Sequence, residues 1–70
     1  MTKLFDRGDI IRIPQGVYLV SDVNNPKAYV ILEKQRYGTF DKLISNDFAQ
    51  IIYEGSSWHV SITDIFQGEN

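Results

Sequence analysis

The chain contains no cysteine, one histidine, one tryptophan and two prolines, and it has no long apolar run. Each absence removes a class of explanation. Without cysteine there is neither a disulfide framework nor a thiolate metal centre, so packing must hold the fold, alone or with help from oligomerisation. The lone His59 has no HxH or HxxxH companion, which argues against a histidine metal site. No stretch approaches the ~20 consecutive apolar residues of a membrane-spanning helix, so no membrane partner is expected. Met1-Thr2-Lys3-Leu4-Phe5-Asp6-Arg7 turns charged at once and offers no apolar signal segment, which predicts a cytoplasmic protein. Neither sign of charge is in large excess: seven basic side chains face nine acidic ones, a net of −2. Binding to a phosphate backbone wants a basic stripe, and this balance disfavours it.

What is present points to β structure. Ile and Val supply fourteen residues, whereas Ala and Leu, the helix fillers, supply six. Branching at Cβ costs rotamer freedom in a helix and packs well on a pleated surface. At 43% hydrophobic and 23% charged, the composition is that of a globular chain rather than a disordered one. Seventy residues make a single domain, 1–70, expected to divide into a folded body, 6–66, and a polar tail, 67–70, that frays.

Turn chemistry divides that body. Ile10-Ile11-Arg12-Ile13 reads as a first strand, ended by Pro14, which cannot donate to a ladder. Gln15-Gly16 turns into Val17-Tyr18-Leu19-Val20. Asn24-Asn25-Pro26-Lys27 is the clearest turn, and Ala28-Tyr29-Val30-Ile31-Leu32 returns from it, so 17–32 forms a hairpin. The middle reads two ways: a short helix capped by Thr39, or a strand over 36–44 with Gly38 easing a bend or bulge. The strand is preferred. Ser45-Asn46-Asp47 is a turn of hairpin length before Phe48-Ala49-Gln50-Ile51-Ile52-Tyr53. Glu54-Gly55-Ser56-Ser57 turns again into Trp58-His59-Val60-Ser61-Ile62, the cleanest alternation in the chain. A single 3₁₀ turn near residues 64–66 closes the pattern. The expected fold is all-β: five or six short antiparallel strands bent into a small barrel.

This order of elements resembles an SH3-like small barrel over residues 7–66. In that comparison 8–13 is the opening strand, 17–32 the long hairpin, 36–44, 48–53 and 58–62 the meander, and 64–66 the closing turn. The opening Gly8-Asp9-Ile10-Ile11-Arg12-Ile13-Pro14-Gln15-Gly16 is also similar to the start of a KOW motif, a small-barrel element of transcription and ribosome proteins. The later glycines of that motif are missing from 17–23. In overall style, "GDIIRIP.GVYLV" to "WHVSITDIF", the chain resembles small accessory proteins of tailed phages. That likeness implies a viral, phage-encoded protein that binds and inhibits or redirects a bacterial host protein in the host cytoplasm.

Candidate chemistry is sparse. His59 alternates out of phase with Trp58 and Val60, which places it on the solvent face. Ser56 and Ser57 beside it read as turn formers, and there is no GxSxG elbow or glycine-rich phosphate loop. The carboxylates are scattered, and a barrel this small leaves little interior for a catalytic cleft. No enzymatic activity, cofactor or metal is expected. Lys34, Arg36 and Lys42 form a possible basic patch, the basis of a nucleic-acid or ribosome-associated alternative, although Glu33 and Asp41 interrupt it.

The aromatic residues carry the functional reading. Tyr and Trp combine apolar area with a polar tip and serve as interface anchors. Alternation leaves Tyr18 opposite Val17 and Leu19, and Tyr53 opposite Ile52, so not all of them can point inward. The SH3-like resemblance implies a groove lined by Tyr18, Tyr29, Tyr37, Trp58 and Phe66. The expected partner-binding residues are Tyr18, Tyr29, Tyr37, Tyr53 and Trp58, the last read alternatively as a core plug. The chain lacks the paired Trp and acidic hairpin run of proline-peptide-binding SH3 domains. A protein partner is expected, and a homodimer is compatible with an open strand edge.

Overall fold

The computed structural model describes residues 5–68. They form seven antiparallel strands: β1 (Ile10–Ile13), β2 (Tyr18–Val20), β3 (Tyr29–Ile31), β4 (Arg36–Leu43), β5 (Phe48–Tyr53), β6 (Ser56–Ser61) and β7 (Phe66–Gln67). A single 3₁₀ turn, Ile62–Asp64, stands between β6 and β7. The strands share one sheet in the order β3-β2-β6-β5-β4-β1-β7. That order is open: β3 and β7 are its ends, and closure into a barrel is not seen among the described residues. The all-β expectation holds, with seven strands in place of five or six.

Period-two alternation turns one face of this sheet inward. Ile11 and Ile13 of β1, Leu19 of β2, Phe40 of β4, Ala49 and Ile51 of β5 and Val60 of β6 are buried, together with Phe5, Val17, Leu32 and Ile65. Val30, Tyr53, Trp58 and Ile62 pack against this cluster, half-buried. Phe5 stacks on Phe40 with ring centroids 5.4 Å apart. No polar side chain is buried in this core among the described residues. Small as the domain is, its interior is wholly aliphatic and aromatic.

The middle segment is a strand. The ladder to β5 slips between Phe40 and Lys42, making Asp41 the extra residue of a bulge. Gly38 was expected to supply that irregularity. Instead it permits close packing: a Cβ there would stand 2.9 Å from the Ile52 carbonyl oxygen.

The β5–β6 turn is tighter than its sequence suggests. Tyr53 pairs with Ser56, so only Glu54 and Gly55 turn, with φ of 52° and 80°. Two positive φ angles in a two-residue loop mark a type I′ turn, whose twist suits a hairpin. β6 therefore begins at Ser56.

The end of the chain differs from expectation as well. Ile62–Asp64, rather than 64–66, takes the 3₁₀ turn, because Ile65 must return to the core and Phe66 then extends. Gln67, expected in a frayed tail, lies opposite Ile11, and the Gly68 N–H donates to the Ile10 carbonyl at 3.0 Å. Residues 69 and 70 lie outside the described residues.

Candidate functional site

The outer face of the sheet holds the side chains that the core rejects. Registers define its rows. Phe66 of β7, Arg12 of β1 and Tyr37 of β4 stand side by side. Next to them run Ile10, Thr39, Ile52 and Ser57, across β1, β4, β5 and β6. Ile10, Tyr37, Ile52 and Phe66 are 52%, 54%, 38% and 42% exposed. The Arg12 guanidinium carbon lies 4.7 Å above the centre of the Phe66 ring. An exposed pair of this kind adds about 0.5–1 kcal/mol and orders both side chains. The result is an apolar, aromatic surface with one cation at its centre.

A second exposed surface lies on the hairpin. Tyr18 and Tyr29, both mostly exposed, stack with centroids 5.9 Å apart. Ile31 lies opposite Tyr18 and is also exposed.

Between the two surfaces the outer face is polar and internally bonded. The Arg7 Nε donates to Asp41 Oδ1 at 2.9 Å, and Gln50 Nε2 donates to Asp41 Oδ2 at 2.7 Å. Gln50 Oε1 lies 3.1 Å from His59 Nε2, and His59 Nδ1 accepts the Val23 backbone N–H at 3.1 Å. Because Nδ1 accepts, the ring proton belongs on Nε2, where Gln50 Oε1 accepts it. The Gln50 hydrogen bond, followed by that of Arg7, holds the Asp41 carboxyl below its ordinary value of 3.8. Alternation from Tyr37 and Thr39 sets Asp41 on this outer face, beside Gln50.

His59 is therefore not the solvent-facing residue that alternation predicts. Its side chain is only 12% exposed. Alternation does place it outside the core, but the loop after β2 folds over that face and covers it.

The structure divides the five expected binding residues. Tyr18 and Tyr29 come together. Tyr37 belongs to the Phe66–Arg12 row, on the opposite face of the sheet from Tyr53. Tyr53 and Trp58 pack against the core, so the core-plug alternative describes Trp58. Phe66, a candidate groove residue, is exposed. Arg12, Ile10 and Ile52 were absent from the expected set. Ile10 and Arg12 read as ordinary strand residues until the register placed them beside Tyr37 and Phe66. Their clue was alternation against the buried Ile11 and Ile13.

Lys34, Arg36 and Lys42 do not gather. Arg36 and Lys42 lie six residues apart on one strand, roughly 20 Å at ~3.3 Å per residue. Among the described residues no three His, Cys, Asp or Glu side chains converge as a metal site, and no helix is long and apolar enough to cross a membrane. Asp9 Oδ2 accepts the Asp6 N–H at 2.8 Å and so serves a turn. An open cleft between the loop after β2 and the β4–β5 turn is lined by Val23, Asn24, Ile44, Ser45, Asp47 and Phe48.

No protein-family model, curated protein or solved structure matches the chain.

Proposed function

We propose that the chain is a small, non-enzymatic protein-binding module that engages its partner through the outer face of β7, β1, β4 and β5. The row Phe66–Arg12–Tyr37, backed by Ile10 and Ile52, carries this reading. Aromatic residues and arginine are the side chains enriched at interface centres, and here they adjoin on rigid strands instead of loops. Arg12 sets the partner's chemistry. Its charge, held over Phe66 and beside Tyr37, calls for a carboxylate set in an apolar segment of the partner.

An SH3-like architecture is part of the proposal. The strand order β7-β1-β4-β5-β6, the meander of β4 to β6 and the 3₁₀ turn before β7 support it. The resemblance to accessory proteins of tailed phages supplies the source: a phage protein acting in the host cytoplasm on a bacterial protein, which it inhibits or redirects.

The test is a photo-crosslinking residue at position 37, used in bacterial cells, followed by purification of the protein it captures. That protein should bind the chain directly, and Arg12→Glu combined with Phe66→Ala should abolish binding while the circular dichroism spectrum stays unchanged. Unaltered affinity in the folded double variant would overturn the reading.

A further inference from the structure

The end of the sheet at β3 bears a second, independent feature. β3 pairs with β2 alone, with Leu19 opposite Val30. Ser21 N–H donates to the Ala28 carbonyl at 2.9 Å, Leu32 N–H to the Val17 carbonyl at 3.1 Å, and Gly16 N–H to the Leu32 carbonyl at 2.8 Å. Ala28, Val30 and Leu32 thus turn their main chain toward β2. Antiparallel ladders alternate, so Tyr29 and Ile31 turn their N–H and C=O groups outward. Proteins guard such an edge by keeping it short, or with proline, a bulge or an inward charge. The strand Tyr29-Val30-Ile31 is short, and it carries no proline, bulge or charge of its own.

We infer that two copies of the chain pair antiparallel through β3, with Val30 opposite the partner's Val30. Three registers centred within the strand keep the pairing antiparallel and two-fold symmetric, and side-chain chemistry separates them. Centring on Tyr29 opposes Ile31 to the partner's Lys27. Centring on Ile31 opposes Tyr29 to the partner's Glu33. Centring on Val30 opposes Tyr29 to the partner's Ile31 and Lys27 to the partner's Glu33, each pair occurring twice by symmetry. Only this register matches aromatic with β-branched and positive with negative.

It also meets the backbone requirement. Tyr29 and the partner's Ile31 both face outward, so they exchange two hydrogen bonds, and the symmetric pair exchanges two more. Tyr18, stacked on Tyr29, then lies near the partner's Ile31, and the two hairpin surfaces join into one apolar row. Lys27 and Glu33, both exposed, flank that row. The edge is separate from the Phe66–Arg12–Tyr37 surface, so failure of this pairing leaves the proposed partner surface standing.

Sedimentation equilibrium from micromolar to submillimolar concentration tests it. The wild-type chain should form a dimer. Lys27→Glu or Glu33→Lys alone sets like charges opposite each other twice, and should weaken the dimer on the order of tenfold. The double exchange Lys27→Glu with Glu33→Lys restores both pairs and should recover the wild-type constant. Ile31→Pro removes an outward N–H without touching the β2 ladder, and should leave a folded monomer by circular dichroism. A wild-type chain that stays monomeric throughout overturns the inference. So does a dimer indifferent to the single charge reversals, or one that survives Ile31→Pro, since another surface then forms it. A monomer that instead captures an extended peptide on β3 also overturns self-pairing and assigns the edge to a foreign strand.

Discussion

His59 Nδ1 accepts a hydrogen bond from the backbone N–H of Val23 at 3.1 Å, tying the loop after β2 to the centre of the sheet. In the ladder the hairpin joins the body through the bridge between Val20 and His59, above the core that Val17, Leu19 and Leu32 share with the other strands. One residue therefore acts twice at that junction, by its backbone in the ladder and by its ring over the loop.

Replacing His59 with Ala should cost about 1–3 kcal/mol, because the Val23 N–H and the Gln50 Oε1 both lose their partner in a half-buried setting. Equilibrium unfolding in urea measures it. An unchanged midpoint would mean that water replaces the ring.

Asp41 predicts acid sensitivity. Its folded-state value is lowered, so the ionised carboxylate stabilises the fold above the ordinary value of 3.8, and that contribution is lost as pH falls through the lowered value. Asp41→Asn should be less stable than wild type near neutrality, with the gap closing below pH 3.8. Urea titrations at several pH values would show the two curves converging. Parallel curves would contradict the sign.

Gly38→Ala should destabilise by about 1–3 kcal/mol, since its Cβ meets a ladder carbonyl that cannot retreat. Thermal unfolding followed by circular dichroism checks this. A neutral result would require β5 to shift away from β4.

Glu54→Asn should raise stability by about 1 kcal/mol, because Glu54 has φ of 52° and Asn tolerates that region better. The expected gain is a higher melting temperature. A fall in melting temperature would show that the Glu54 side chain contributes something the turn geometry does not require.

Much of the fold was legible because its signals are local. The β-branched run Ile10–Ile13 before Pro14, the Asn-Asn-Pro turn and the alternation from Trp58 to Val60 each report on neighbours along the chain. Inward residues on β1, β2 and β6 were read well for the same reason: Ile11, Ile13, Leu19 and Val60 follow a period of two. On β5 the reading that set Tyr53 outside and Ile52 inside is reversed, because Ile51 is the buried residue and Tyr53 shares its face. The candidate site was legible only in part. That Tyr18 and Tyr37 are exposed follows from alternation, but which other side chains they meet does not. The 3₁₀ turn shifted two residues because the need to bury Ile65 outweighed local turn preference. Gln67 joined the sheet because β1 had an unpaired edge to offer.

Composition and local pattern are enough for an all-β chain, most of its turns and the inward side of several strands, since these rest on rotamer freedom, φ preference and period-two burial. That Phe66, Arg12 and Tyr37 adjoin, that His59 is covered and that β3 ends the sheet came from the folded chain. Those outcomes depend on which strands pair and in which register. Pairing is set by contacts between residues distant in the chain, and no local pattern encodes it.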